Sequence, residues 1–126
     1  MIKVTSQPIE SIPLPKGSEI VRVEYELGKL RTFVRDMGSE TELVVDFSDV
    51  LGYRVLDEGN LMEFWPECST PKGWLFEIQS GGWLAQEANS HFAALRPKAK
   101  EYLVAGVDDC LSVICRTAPE VHKNAL

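Results

Sequence analysis

Alternation of apolar and polar residues dominates the first half of the chain. In IVRVEYEL (residues 20–27) every second side chain from Val21 onward is apolar, which predicts a half-buried strand with Ile20 on its polar face. LRTFVRDM repeats this period after a turn at Gly28-Lys29. TELVVDFSDV and LGYRVLDEG follow, rich in strand-forming residues and ending in a turn. This half therefore predicts a meander of antiparallel strands.

The second half contains three further strand patterns and one ambiguous segment. GWLFEIQ predicts a strand with Trp74, Phe76 and Ile78 on one face. EYLVAGV and CLSVICR predict a hairpin whose tip carries Asp108-Asp109. Residues 83–95 have apolar side chains at helical spacing, which favours a short helix before Pro97, although a glycine pair before Trp83 is also compatible with a hairpin.

These elements predict an α+β domain: an antiparallel meander of about six or seven strands with at most one or two short helices. The length of 126 residues suits a single domain over 1–126. Three prolines and a glycine predict an extended lead-in over residues 1–18, and residues 117–126 are predicted to form a terminal loop.

All three tryptophans, Trp65, Trp74 and Trp83, lie nine residues apart. Loops interrupt the chain between them, so this spacing fits neighbouring strands or strand ends. Large aromatic side chains commonly pack across a sheet, and this favours a role in the core. The alternative is an exposed aromatic patch, because acidic residues flank each tryptophan.

The charge balance is acidic, with nineteen acidic residues against thirteen basic ones and a net charge of −6. Such a field repels nucleic acid and attracts basic proteins, although mild acidity also serves solubility alone. No apolar run approaches the length of a signal sequence core or a membrane span. Three cysteines without C-x-x-C spacing indicate reduced thiols, and a cytoplasmic location is expected.

Signatures of catalysis are missing from the sequence. His91 and His122 are the only histidines, neither belongs to a known motif, and neither shows ligand spacing typical of zinc sites. The glycines at 81 and 82 open no nucleotide-binding pattern. We therefore predict no catalytic residue, no cofactor and no metal.

The stretches DVLGYRVLDEGNLMEFW, WLFEIQSGGWLAQE and EYLVAGVDDCLSVICRTAPEV together resemble small bacterial immunity proteins of polymorphic-toxin and contact-dependent inhibition systems. The resemblance implies a binding protein rather than an enzyme. Its partner would be a basic toxin domain whose active site it covers. The resemblance transfers no individual site residue.

Aromatic anchors inside an acidic rim suit a basic partner. The residues predicted to bind it are Asp57, Glu58, Glu63, Trp65, Asp108 and Asp109. One alternative is a small enzyme or small-ligand-binding domain with a pocket between sheet and helix, where Glu87, His91 or Tyr53 supplies polar groups. A homo-oligomer formed through an exposed edge strand is a further alternative.

Overall fold

The computed structural model describes residues 4–9, 12–57, 73–86 and 99–124. These residues form nine strands and one helical turn. In chain order they are β1 (Thr5–Pro8), β2 (Ser18–Glu26), β3 (Lys29–Asp36), β4 (Glu42–Phe47), β5 (Val50–Asp57), β6 (Leu75–Ser80), α1 (Trp83–Gln86), β7 (Lys100–Ala105), β8 (Asp109–Cys115) and β9 (Glu120–Lys123).

The strands are divided between two sheets, and every pairing is antiparallel. The five-stranded sheet has the order β1-β6-β7-β8-β5, and the four-stranded sheet has the order β2-β3-β4-β9. The predicted antiparallel structure is thereby confirmed. A single continuous meander was predicted, however, and the structure instead moves from one sheet to the other after β4.

Both sheets contribute side chains to one core, so they pack face to face as a sandwich. The four-stranded sheet supplies buried residues from β3 and β4, and the five-stranded sheet supplies them from β5 to β8. This shared core contains Leu30, Val34, Leu43, Val45, Phe47, Val50, Leu75, Tyr102, Val104, Leu111, Val113 and Cys115.

The five-stranded sheet is buried on its outer face as well. A second apolar cluster lies there, comprising Val4, Phe76, Ile78, Leu103, Ala105 and Cys110. Burial on both faces explains why β7 and β8 have nearly continuous apolar sequences instead of an alternating pattern.

A bulge interrupts β2 between Ile20 and Arg22. Ile20 pairs with Val34 and packs against the shared core, which places it on the inner face together with Val23. Ile20 was predicted on the polar face, and the bulge is the reason this prediction is wrong. An inserted residue reverses the alternation, and Val21 is left exposed.

The chain changes sheets at Ser48-Asp49. Asp49 has a positive φ of 53°, a conformation that aspartate tolerates better than most residues. The backbone N–H of Val50 then donates to the carbonyl of Gly28 at 2.9 Å, so β5 begins beneath the β2–β3 turn. This route makes β5 and β2 neighbouring edge strands on the same side of the sandwich.

Trp74 lies before β6 and not within it. It packs into the shared core and its Nε1 donates to the carbonyl of Ile12 at 2.9 Å, whereas Phe76 and Ile78 belong to the outer cluster. The prediction that all three share one face is therefore wrong, because the period of two applies only inside the strand. The expectation of a buried tryptophan is correct for Trp74.

The chain ends also differ from the prediction. Within the lead-in, Thr5–Pro8 forms β1 on β6, and within the predicted terminal loop Glu120–Lys123 forms β9 on β4. Both strands are short and polar, so partners distant in sequence determine them. α1 begins where a helix was predicted, but residues 87–98 lie outside the described residues, and the α+β class stays a prediction.

Candidate protein-interaction surface

Three of the predicted partner-binding residues lie together in the structure. Asp57 ends β5 and is the cross-strand partner of Asp109, the first residue of β8. Asp108 directly precedes Asp109, and all three are exposed. We call these three residues the acidic cluster. The other predicted residues, Glu58, Glu63 and Trp65, lie outside the described residues.

Exposed apolar side chains concentrate on the side of the sandwich where β2 and β5 are the edge strands. Five of the six large hydrophobic residues that are exposed in the described part of the chain lie on β2, on β5 or in the turn after β2. We call these five the β2–β5 strip. Their exposed fractions range from 38% to 92%, and they are Val21, Tyr25, Leu27, Tyr53 and Val55.

An aromatic contact crosses the gap between the two sheets in the middle of the strip. The rings of Tyr25 and Tyr53 have centroids 5.3 Å apart and are tilted by 33°. Each tyrosine belongs to the inner face of its strand, since Tyr25 pairs with Leu30 and Tyr53 pairs with Val113. They are exposed because no further strand continues either sheet on this side within the described residues.

The acidic cluster lies at one end of the strip. The N–H of Val107, in the same hairpin loop as Asp108, donates to the carbonyl of Ser18 at the start of β2 with a distance of 2.9 Å. Asp57 reaches the same end because it terminates β5. Apolar and aromatic contact area is thus joined to negative charge, a combination that complements a basic protein surface.

On the outer face of the four-stranded sheet the charges differ from those of the acidic cluster, because each basic side chain lies next to an acidic one. Exposed pairs of this kind contribute about 1 kcal/mol or less each. The ion pairs are Arg22–Glu24 at 3.3 Å, Arg31–Asp46 at 3.1 Å and Arg35–Glu42 at 3.5 Å, and Nε2 of His122 lies 3.6 Å from the carboxylate of Asp46. This face therefore offers neither an apolar strip nor charge of one sign.

A depression of about 900 Å³ lies beside Tyr25 and Leu27, where β2, β3 and β4 approach the end of their sheet. Its charged lining residues are Glu24, Glu26, Asp46 and Glu120 with Lys29 and Arg31. It does not lie between sheet and helix, where the alternative function would need a pocket. Of that alternative's residues, Tyr53 is in the strip, while Glu87 and His91 fall outside the described residues.

A buried polar cluster holds α1 against the outer face of the five-stranded sheet. Glu101 on β7 is 1% exposed, and its carboxylate accepts the backbone N–H groups of Leu84 at 2.8 Å and Trp83 at 3.1 Å. A side chain at Gly82 would lie 2.7 Å from the same carboxylate, so only glycine leaves it room. Arg54 on β5 stacks over the Trp83 ring at 4.7 Å.

Trp83 was predicted as a core residue and is half-buried here, whereas Glu101, Gly82 and Arg54 were not predicted as important. Two sequence features could have indicated this cluster, namely an acid in the apolar strand EYLVA and the Gly81-Gly82 pair. The sequence does not show, however, which backbone groups a buried carboxylate binds. The Nε of Arg54 and the Oγ of Ser112, cross-strand partners beside this cluster, are buried without a hydrogen-bond partner. Glu101 has a structural role, because its carboxylate fixes the first turn of α1.

The pH dependence of stability should report on Glu101. Burial raises the pKa of this carboxyl above its ordinary value of 4.5, while the N–H groups of Leu84 and Trp83 and the charge of Arg54 oppose the shift. The folded protein therefore keeps the proton at pH values where the unfolded chain has lost it, and the free energy of unfolding falls as pH rises through this window. We expect Glu101→Gln to remove this contribution.

The measurement is urea unfolding of both proteins in steps from about pH 4 to pH 8. The wild-type curve should fall relative to the Glu101→Gln curve as pH rises. Parallel curves would contradict the raised pKa. Other titrating groups are common to both proteins, so they cancel in the difference.

Other reactive groups offer no catalytic arrangement in the described part of the chain. Cys110 and Cys115 are buried, and burial raises the pKa of Cys115 to about 11, which keeps this thiol protonated near neutral pH. His122 is exposed on β9 beside Asp46. No three potential ligands among the described residues are grouped to hold a metal ion. None of the described helical residues forms a segment long and apolar enough to cross a membrane.

Comparison with known proteins finds no matching family model, no similar curated protein and no similar solved structure.

Proposed function

We propose that the chain is a protein-binding module that holds a basic protein against the β2–β5 strip and the acidic cluster. In its most specific form, the module is a cytoplasmic immunity protein that neutralises a basic toxin domain by covering the active site of that domain. The observation that carries the proposal is the location of the exposed apolar residues. Five of them lie on one side of the sandwich, beside three carboxylates that strand pairing brings together.

The composition of this surface favours binding of a partner. Tyrosines give large contact areas with little loss of side-chain entropy, and aromatic residues are enriched where binding energy is concentrated. Carboxylates at the border of such a patch accelerate encounter with a cationic partner and discriminate against acidic ones. The alternative of a small-ligand-binding domain has no comparable observation in its favour, since the depression at Tyr25 is open and lined by charge.

Reversal of one charge tests the electrostatic part of the proposal. Asp108→Lys should weaken binding of the basic partner by about tenfold, because a cation replaces an exposed anion at the border of the interface. Gln7→Lys is the control, which adds a cation at an exposed position of β1, at the opposite edge of the five-stranded sheet from β5. Isothermal titration of the purified partner measures both, and equal affinities for the two variants would contradict the proposed surface.

The neutralisation function has its own test. Production of the basic partner alone should stop growth of the host cell, and co-production of the wild-type chain should restore it. A version carrying Asp57→Lys, Asp108→Lys and Asp109→Lys should restore growth poorly at equal protein level. Full restoration by this version would show that neutralisation does not use the acidic cluster.

A further inference from the structure

The edge of β5 is the least protected strand edge in the described structure. β5 pairs with β8 on one side and has no described strand on the other. Its only irregularity lies at its beginning, between Val50 and Gly52, and the register then runs without interruption to Asp57. Residues 52–57 contain neither proline nor lysine, the residues that commonly block strand addition at an edge.

The other three edge strands are each protected in a recognisable way. β1 and β9 have only four residues each, and β1 ends in Pro8. β2 is longer, but it contains the bulge at Val21 and carries charged side chains such as Arg22 and Glu24. Short length, proline, bulges and charge all disfavour pairing with another chain. Residues 52–57 of β5 contain no proline and no bulge, and their only charged residues are Arg54 and Asp57.

A strand added to β5 would meet a defined set of side chains. Tyr53 and Val55 project from the inner face of β5 and are 38% and 46% exposed, so apolar side chains at alternate positions of the added strand would cover them. Asp57 follows at the next inner-face position and would face a basic side chain. The added strand would also cover Tyr25 through its contact with Tyr53.

We propose that β5 binds an extended segment of the partner as an additional antiparallel or parallel strand, and that this segment alternates apolar residues and has a basic residue at the end near Asp57. The inference deepens the proposed function and rests on it. Charge complementarity selects this occupant over a second copy of the chain, because each copy carries a net charge of −6 and would repel the other.

The probe is a fluorescent nine-residue peptide with lysine at positions 1 and 9, valine at positions 3, 5 and 7 and threonine at the even positions, so that either strand direction places a lysine on the valine face near Asp57. Fluorescence anisotropy measures its binding to the full chain. We expect the same peptide with glutamate at both ends to bind at least about tenfold more weakly. Two further versions of the peptide are N-methylated, one at the odd positions and the other at the even positions. Only one of these two sets of N–H groups can face β5, so one version should lose the hydrogen bonds to β5 and no longer bind, while the other version should still bind.

Hydrogen exchange locates the contact. Backbone amides within residues 52–57 should gain protection when the peptide binds, and those of β1 and β9 should not. Val55→Lys should reduce binding by about tenfold or more, whereas Gln7→Lys, on the opposite edge strand of the same sheet, should leave it unchanged. Equal binding of both N-methylated peptides, or protection away from β5, would overturn strand addition.

Failure of the inference is separable from failure of the proposed function. If the peptides do not bind but the basic partner still binds the wild-type chain and distinguishes Asp108→Lys from Gln7→Lys, strand addition is wrong and the protein-binding function stands. If no basic partner binds the chain, the proposed function fails, whatever the peptides do.

Discussion

Replacement of Glu101 by alanine is expected to lower the free energy of unfolding by about 3 kcal/mol. The substitution leaves the N–H groups of Trp83 and Leu84 without their acceptor in a buried position, and it removes the carboxyl group that lies near Arg54. Urea unfolding at neutral pH measures the loss. Glu77→Ala is the matched control, a half-buried glutamate on the neighbouring strand β6, and should cost less than about 1 kcal/mol.

A double-mutant cycle with Gly82 tests the same geometry. Alanine at this position would place its Cβ 2.7 Å from the Glu101 carboxylate and 2.8 Å from Ile78, so Gly82→Ala alone should destabilise the protein. In the Glu101→Ala background part of this steric conflict disappears. The double variant should therefore lose less free energy of unfolding than the sum of the losses in the two single variants. Strict additivity would show that Gly82 does not accommodate the carboxylate.

Substitution of Tyr53 by alanine should produce the largest single loss of partner affinity, about thirtyfold. The Tyr53 ring lies in the middle of the β2–β5 strip and contacts the Tyr25 ring. Its removal therefore takes away the area that Tyr53 offers to the partner and also the contact that holds Tyr25 in place. Titration calorimetry with the basic partner measures the affinity.

His122→Ala is the control for this loss, since it removes an exposed ring from β9 on the opposite side of the four-stranded sheet. It should change affinity by less than about twofold. An unchanged affinity for Tyr53→Ala would exclude the middle of the strip from the interface. The thermal midpoint of both variants should be recorded, so that a loss of folding is recognised.

Local pattern predicts the strands of this chain well because alternation is a property of consecutive residues. β2 to β8 all begin and end close to the predicted limits. The bulge at Val21 could not be predicted from alternation, because IVRVEYEL alternates without any break that would mark an inserted residue. Pairing with β3 decides the position of the bulge, and that pairing is not visible in β2 alone.

Non-local contacts account for the rest of the missed architecture. β1 and β9 are short, polar segments that become strands only because β6 and β4 have free edges for them. The division into two sheets depends on the positive φ of Asp49 and on the bond from Val50 to Gly28, and neither is encoded as a pattern in residues 41–57. The hairpin with Asp108 at its tip needed only local information and is confirmed.

The candidate surface was partly predictable for the same reason. Acidic residues at turns were predicted, and strand pairing then brings Asp57 opposite Asp109. Tyr25 and Val55 were not predicted as surface residues, since their alternation indicates a buried face. They are exposed because β2 and β5 are edge strands, a property of sheet order and not of local sequence.

Native co-purification tests the central claim most directly. The tagged wild-type chain and the version with Asp57→Lys, Asp108→Lys and Asp109→Lys are each purified from the native organism in moderate salt, and mass spectrometry identifies and quantifies what remains bound. The account predicts a stoichiometric basic protein with the wild-type chain and its loss from the triple variant. A wild-type chain that elutes alone, or a protein retained equally by both forms, would contradict it.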